Sequence, residues 1–173
     1  SISNLSRLVV ARVVTAVFYR LWNQMEQTLQ TAVDISKGIG EIQTISQSAA
    51  ISNEQWARSI RHVSDAYNFL QTDVTEGLYQ TISNQVAFGQ DAMTFMEQAA
   101  PFAKATKSTM TETVELLSSV LNSYNLKVAD LDKVTSSLFK TIELGRVRAS
   151  DMANTFGRIG GIAEISGISL NEL

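Results

Sequence analysis

The chain has no cysteine, one proline, one histidine and only 18% charged residues across its 173 positions. Without cysteine there is no disulfide, no thiolate nucleophile and no Cys-ligated zinc, so the redox compartment leaves no mark. With His62 alone, a His-rich metal site is excluded. A nucleophile relay through His62 would need a serine and a carboxylate converging on it; its place beside Arg61, away from Trp56 and Ile60 in helical spacing, predicts a surface residue. Basic residues are outnumbered, 14 against 17 acidic, for a net charge of −3. That balance argues against a broad nucleic-acid-binding face, which needs clustered Lys and Arg to displace counterions. The local exception is the start, where Arg7, Arg12 and Arg20 precede the first acid, Glu26. Long apolar runs are missing too. The most apolar stretch, LVVARVVTAVF at 8–18, holds Arg12 and falls short of the ~20 uninterrupted residues of a membrane span. It also lacks the order of charge, apolar run and small-residue cleavage site of a signal peptide.

What is present is helix grammar. A chain of this length can bury roughly 70% of its unfolded surface, and 45% hydrophobic residues supply a core. Val14, Phe18, Leu21, Met25, Leu29 and Ala32 follow steps of three and four, predicting a long amphipathic helix over about 5–36 with a face for packing or partner binding. Shorter stripes follow: Trp56, Ile60, Val63, Tyr67 and Leu70; Phe95, Met96 and Ala99; Met110, Val114, Leu117 and Leu121; Leu131, Val134, Leu138 and Ile142; Met152 and Phe156. Each is two to four turns long and must bury its stripe against a neighbour. Ser52 with Gln55, Asp73 with Glu76, Thr109 with Glu112 and Ser169 with Glu172 read as capped helix starts. Gly89, Asn125 and Gly145 stand where left-handed helix ends are expected. The fold class is therefore all-α, a long N-terminal amphipathic helix followed by a cluster of short antiparallel helices. The expected divisions are 1–37, a joint and short helix over 38–51, and a multi-helix core over 52–173. The chain starts at Ser1 without Met, and a fresh helix begins near Asn171, which leads us to expect a fragment truncated at its C-terminal end.

Two glycine groups invite a chemical reading. Gly38 and Gly40 in DISKGIGEIQTIS lack the preceding strand and the third glycine of a dinucleotide fingerprint, and the Lys-Ser/Thr of a P-loop. At roughly 1 kcal/mol each inside a helix, they predict a break or hinge between the long helix and the rest. Gly157, Gly160 and Gly161 predict tight helix packing or a second hinge. Carboxylate pairs such as Asp130 with Asp132 sit at helix starts and suit the helix dipole. No catalytic residue, cofactor site or metal site is expected. Trp22 and Trp56 with Arg12 and Arg20 could anchor a membrane interface, but the uncharged Gln24, Gln27 and Gln30 favour a partner helix.

The run FYRLWNQMEQTLQTAVDISKGIGEIQTIS resembles the opening of the core region of phage tail tape measure proteins, with Ala32, Ile35, Lys37, Glu41, Ile42, Thr44 and Ile45 carrying the phrase. LNSYNL, ADLDKVTSSLFKTIELG and SDMANTFGRIGGIAEISGIS match the same family further on, in the right order. Gly40 and Pro101 depart from its pattern and bear on local helix continuity. The resemblance implies a structural, non-enzymatic protein that sets tail length during assembly and leaves ahead of DNA on infection. It further implies self-association, as a trimer, and contacts with tail tube, tail-tip or baseplate hub proteins and assembly chaperones, with no specific nucleic-acid recognition. Its place would be the virion tail lumen or tip, after assembly in the host cytoplasm, and any membrane contact would lie elsewhere in the full chain. A helical adaptor or signalling module that binds partner helices is the alternative from another class.

Overall fold

A computed structural model describes residues 2–46, 51–145 and 147–156, with the side chains of 2–14 left aside. Among these residues there are helices and no strands, as the single proline and the helical periodicity predict. The elements are α1 (Ile2–Ile45), α2 (Asn53–Tyr67), α3 (Gln71–Ser83), α4 (Gly89–Thr106), α5 (Met110–Ser123), a 3-10 turn (Val128–Asp130) and α6 (Leu131–Gly145). Residues 149–156 are helical as well. The chain divides into two compact units, Ser1–Ser36 and Lys37–Leu173.

In the first unit every side chain described, from Thr15 to Ser36, is exposed apart from the half-buried Ile35. The second unit holds the core. Helix α4 packs against α2, α3, α5 and α6, and α3 packs against α2 and α5. The buried sets are those the spacing assigns: Trp56, Ile60 and Val63; Val74, Leu78 and Ile82; Phe95, Met96 and Ala99; Val114, Leu117 and Leu121; Leu131, Val134 and Leu138. Met152 and Phe156 are buried too. Fully burying each large apolar side chain contributes about 1.5–3 kcal/mol, which is what holds helices too short to stand alone. The α2 stripe ends earlier than its spacing suggests: Tyr67 is half-buried, and Leu70, just before α3, is exposed.

Two of the capped starts form as read. The Ser52 hydroxyl accepts from the Gln55 N–H (3.3 Å) while the Gln55 side chain accepts from the Ser52 N–H (2.8 Å). Thr109 and Glu112 repeat the exchange at 3.1 and 2.9 Å. Asp73 is not a cap. Helix α3 starts at Gln71 after an uncapped Leu70, because the turn at Asn68, tied by the Ser64 hydroxyl to the Phe69 carbonyl at 2.7 Å, ends early enough to admit one more half-turn. Asp73 then lies in the first turn, where its charge still meets the helix dipole. Ser169 and Glu172 lie outside the described residues.

The left-handed positions also differ from expectation. Asn125 has φ 49 and follows α5 as predicted. Gly89 is left-handed (φ 56) but opens α4 rather than closing α3, and Gly145 ends α6 without a positive φ. The residues that close α2, α3 and α4 with positive φ carry side chains: Asn68, Gln85 and Lys107.

The break expected at Gly38 and Gly40 is absent, because α1 runs through both glycines to Ile45. Its last turns bury Ile39 and Ile42, and Ile51 is buried beyond them, so 38–51 belongs to the second unit rather than forming a separate joint. That burial offsets the roughly 1 kcal/mol each glycine costs in a helix. Gly38 has a packing reason: a Cβ there would lie 2.5 Å from Cγ2 of the buried Thr75 on α3. Pro101 likewise sits inside a continuous α4.

Candidate partner-binding surfaces

On the first unit, Phe18, Leu21, Met25 and Leu29 stand on one face of α1, each more than half exposed; the side chain of Val14, the fifth residue assigned to this face, lies outside the described set. Trp22 and Val33 join them, and at 100° per residue the six fall in a stripe roughly 120° wide. The Phe18 and Trp22 rings stack one turn apart, with centroids 6.2 Å apart and planes at 23°. A shallow hollow of about 250 Å³ runs between Trp22, Met25, Leu29 and Val33. Exposed apolar patches beyond a few hundred Å² mark interaction sites on soluble proteins, and six such side chains on one stripe reach that size. The flanks are uncharged and self-satisfied: Thr28 and Thr31 hydroxyls donate to the Gln24 and Gln27 carbonyls (2.8 and 2.9 Å), and the Gln30 amide donates to Asp34 (3.0 Å).

The phrase residues behave differently. Ile42 is fully buried, Ile45 is half-buried, and the Thr44 hydroxyl donates to the Glu41 carbonyl at 2.6 Å. Glu41 is exposed, 3.9 Å from Lys37 one turn back. At least Ile42 is there for packing, so the phrase marks where the second unit begins, not a contact face. Gly157, Gly160 and Gly161 lie outside the described residues. His62 is exposed, as its spacing predicts. Among the described residues no group of three or more His, Asp or Glu side chains is arranged to hold a metal, and no helix is long and apolar enough to cross a membrane.

The second unit carries a surface that periodicity did not reveal. Between α4 and α6 lies a groove of about 400 Å³ lined by Glu97, Gln98, Pro101 and Phe102 on one side and Asp132 and Phe139 on the other. Phe102 forms the floor and is buried, whereas Phe139 is 37% exposed at the edge. Its polar groups are acceptors. The buried Gln98 Oε1 has no hydrogen-bond partner. Pro101 has no N–H to give to the Glu97 carbonyl one turn earlier, and the Glu97 and Asp132 carboxylates accept only. No Lys or Arg lines the groove. A wider hollow of about 670 Å³ at the start of α6 differs in having Lys133 beside Asp130 and Asp132. The sequence signal for the groove was Pro101 inside an otherwise regular helix, but the α6 side of the groove could not be read from α4.

Tyr124, which follows α5, is the one titratable group pushed from its ordinary range: burial raises its phenol above 10.0, and its hydroxyl has no partner. Desolvation disfavours the phenolate, so the neutral form persists further into alkali.

In comparisons with known proteins, a family model described as phage-related minor tail protein matches residues 57–173, about two thirds of the chain and nearly all of the helical core. No curated protein and no solved structure matches.

Proposed function

The chain belongs to the family of phage-related minor tail proteins, structural constituents of the phage tail, and on that premise we propose that it is a tail tape measure protein. In this reading it sets tail length during assembly and leaves ahead of the DNA on infection. The family match over 57–173 carries the proposal, and the ordered phrase at Glu41, Ile42, Thr44 and Ile45 supports it from outside the matched segment. The 44 residues of α1, about 66 Å at 1.5 Å per residue, add a helix of the kind that can serve as a length standard. Its exposed stripe of Phe18, Leu21, Met25 and Leu29 suits self-association, with the trimer expected from the resemblance, or contact with tail tube and hub proteins. Such a protein works through contact surfaces and not through catalysis, binds no specific nucleic-acid sequence, and resides in the tail lumen or tip.

The test is genetic and geometric. Inserting or deleting helical residues in the full-length protein should lengthen or shorten tails by about 1.5 Å per residue, measured by electron microscopy of assembled particles. Normal-length tails from such variants would overturn the tape measure reading. Self-association is read separately from the sedimentation mass of the purified chain, where a strict monomer at high concentration would refute it.

A further inference from the structure

We infer that the acidic groove between α4 and α6 is a receptor for the arginine-bearing face of α1 from a second copy of this chain, giving a head-to-tail contact distinct from pairing of the α1 apolar stripe. Charge separates the two units. Residues 1–36 contain Arg7, Arg12 and Arg20 against Glu26 and Asp34, a net +1; from the whole chain's −3, residues 37–173 therefore carry −4. Before Glu26 the α1 sequence has arginine as its only charged residue. The groove is the converse, with Glu97 and Asp132 at its walls and no basic residue lining it.

The chemistry of the lining fits a guanidinium. Arginine offers five N–H donors in a planar fork and no acceptor, whereas the groove offers two carboxylates, the partnerless Gln98 Oε1 and the Glu97 carbonyl released by Pro101. The partly exposed Phe139 ring supplies a face on which the same fork can stack. The volume of about 400 Å³ holds one long side chain with its helical neighbours at the rim. On the donor side, Arg12, Ala16 and Arg20 follow steps of four, and by helical spacing they lie on the side of α1 opposite Phe18, Leu21 and Met25. The small Ala16 between the two arginines lets that face come close to a surface. Both faces of α1 can therefore be used at once, the apolar stripe for one contact and the arginines for the other. Because donor and receptor are different surfaces, the contact is heterologous and propagates into open chains unless its rotation closes a ring.

The test uses charge reversal in the full chain. One variant carries Glu97→Lys with Asp132→Lys, and another carries Arg12→Glu with Arg20→Glu. All four sites are exposed or lie on α1, and circular dichroism checks that the helices remain. In analytical ultracentrifugation at 50 mM salt, each variant alone should lose association beyond the closed oligomer at least tenfold relative to wild type. A mixture of the two should regain it, since each variant's arm then matches the other's groove. Raising salt to 0.5 M should weaken the wild-type contact by a similar factor. Unchanged association of either variant, or no gain on mixing, would overturn the inference; so would a concentration-independent monomer whose groove and arm cross-link within one chain. A closed oligomer that persists in both variants reports on the apolar stripe and leaves the outcome for the groove separately readable.

Discussion

Gly38 and Gly40 lie two residues apart in one helix, and replacing each with alanine should move stability in opposite directions. At Gly40 a Cβ would meet nothing within 4 Å, and the residue is exposed, so Gly40→Ala gains only helix propensity. That gain is roughly 0.5–1 kcal/mol, or about 2–4 °C in Tm for a chain of this size. At Gly38 the same gain is opposed by a Cβ 2.5 Å from Thr75 Cγ2, closer than carbon atoms tolerate. Thr75 cannot turn aside cheaply: it is buried, β-branched, and its hydroxyl donates to the Gln71 carbonyl at 2.7 Å. Overpacking of this kind costs typically 1–3 kcal/mol, so Gly38→Ala should lose about 1 kcal/mol net. Thr75→Ser removes the offending methyl and keeps the hydroxyl bond. In the Gly38→Ala background it should restore stability, giving a coupling of about 1–2 kcal/mol in a double-mutant cycle. Urea denaturation followed by circular dichroism at 222 nm measures all four proteins. If both alanines stabilise, and Thr75→Ser shows no coupling, then α1 does not approach α3 at this point and the packing account of Gly38 is wrong.

Thr109→Ala removes one half of a reciprocal cap and should cost about 1 kcal/mol by denaturant titration, with Thr109→Ser close to wild type because the hydroxyl acceptor is kept. For Tyr124, the folded protein holds the phenol proton more tightly than the unfolded chain does. Its contribution to stability is therefore intact below pH 10, the unfolded value, and is lost as pH rises from there through the raised folded value. Ultraviolet titration at 295 nm should show one of the four tyrosines ionising late, and Tyr124→Phe should abolish that component and the associated alkaline loss of stability.

What was legible in the sequence was whatever is settled within one or two turns. The α class, the buried faces of α2 to α6 and the caps at Ser52 and Thr109 depend on spacing and on groups three or four residues apart, and all of them appear in the structure. Gly38 was misread because its meaning lies in Thr75, on another helix; taken alone, a glycine in a helix shows only its cost. Asp73 was misread because the turn at Asn68, not the carboxylate, sets where α3 begins. The stripe on α1 was placed correctly at Phe18, Leu21, Met25 and Leu29, but counting in single steps of three and four passed over Trp22 and Val33, which widen it. The α4–α6 groove needs two helices brought side by side, and no local pattern encodes that meeting.

The turns after α3 and α4 place Gln85 and Lys107 at φ 58 and 56, a conformation that costs a residue bearing a Cβ about 1–2 kcal/mol relative to the right-handed one. Glycine would adopt it freely, yet neither position has one. The helical core thus keeps two strained corners on its surface, each released as soon as the adjoining helix end lets go. Those corners are where the unit should begin to fray, so amides of the last turns of α3 and α4 should exchange with deuterated solvent before those at the centre of α5, although all three helices share one core.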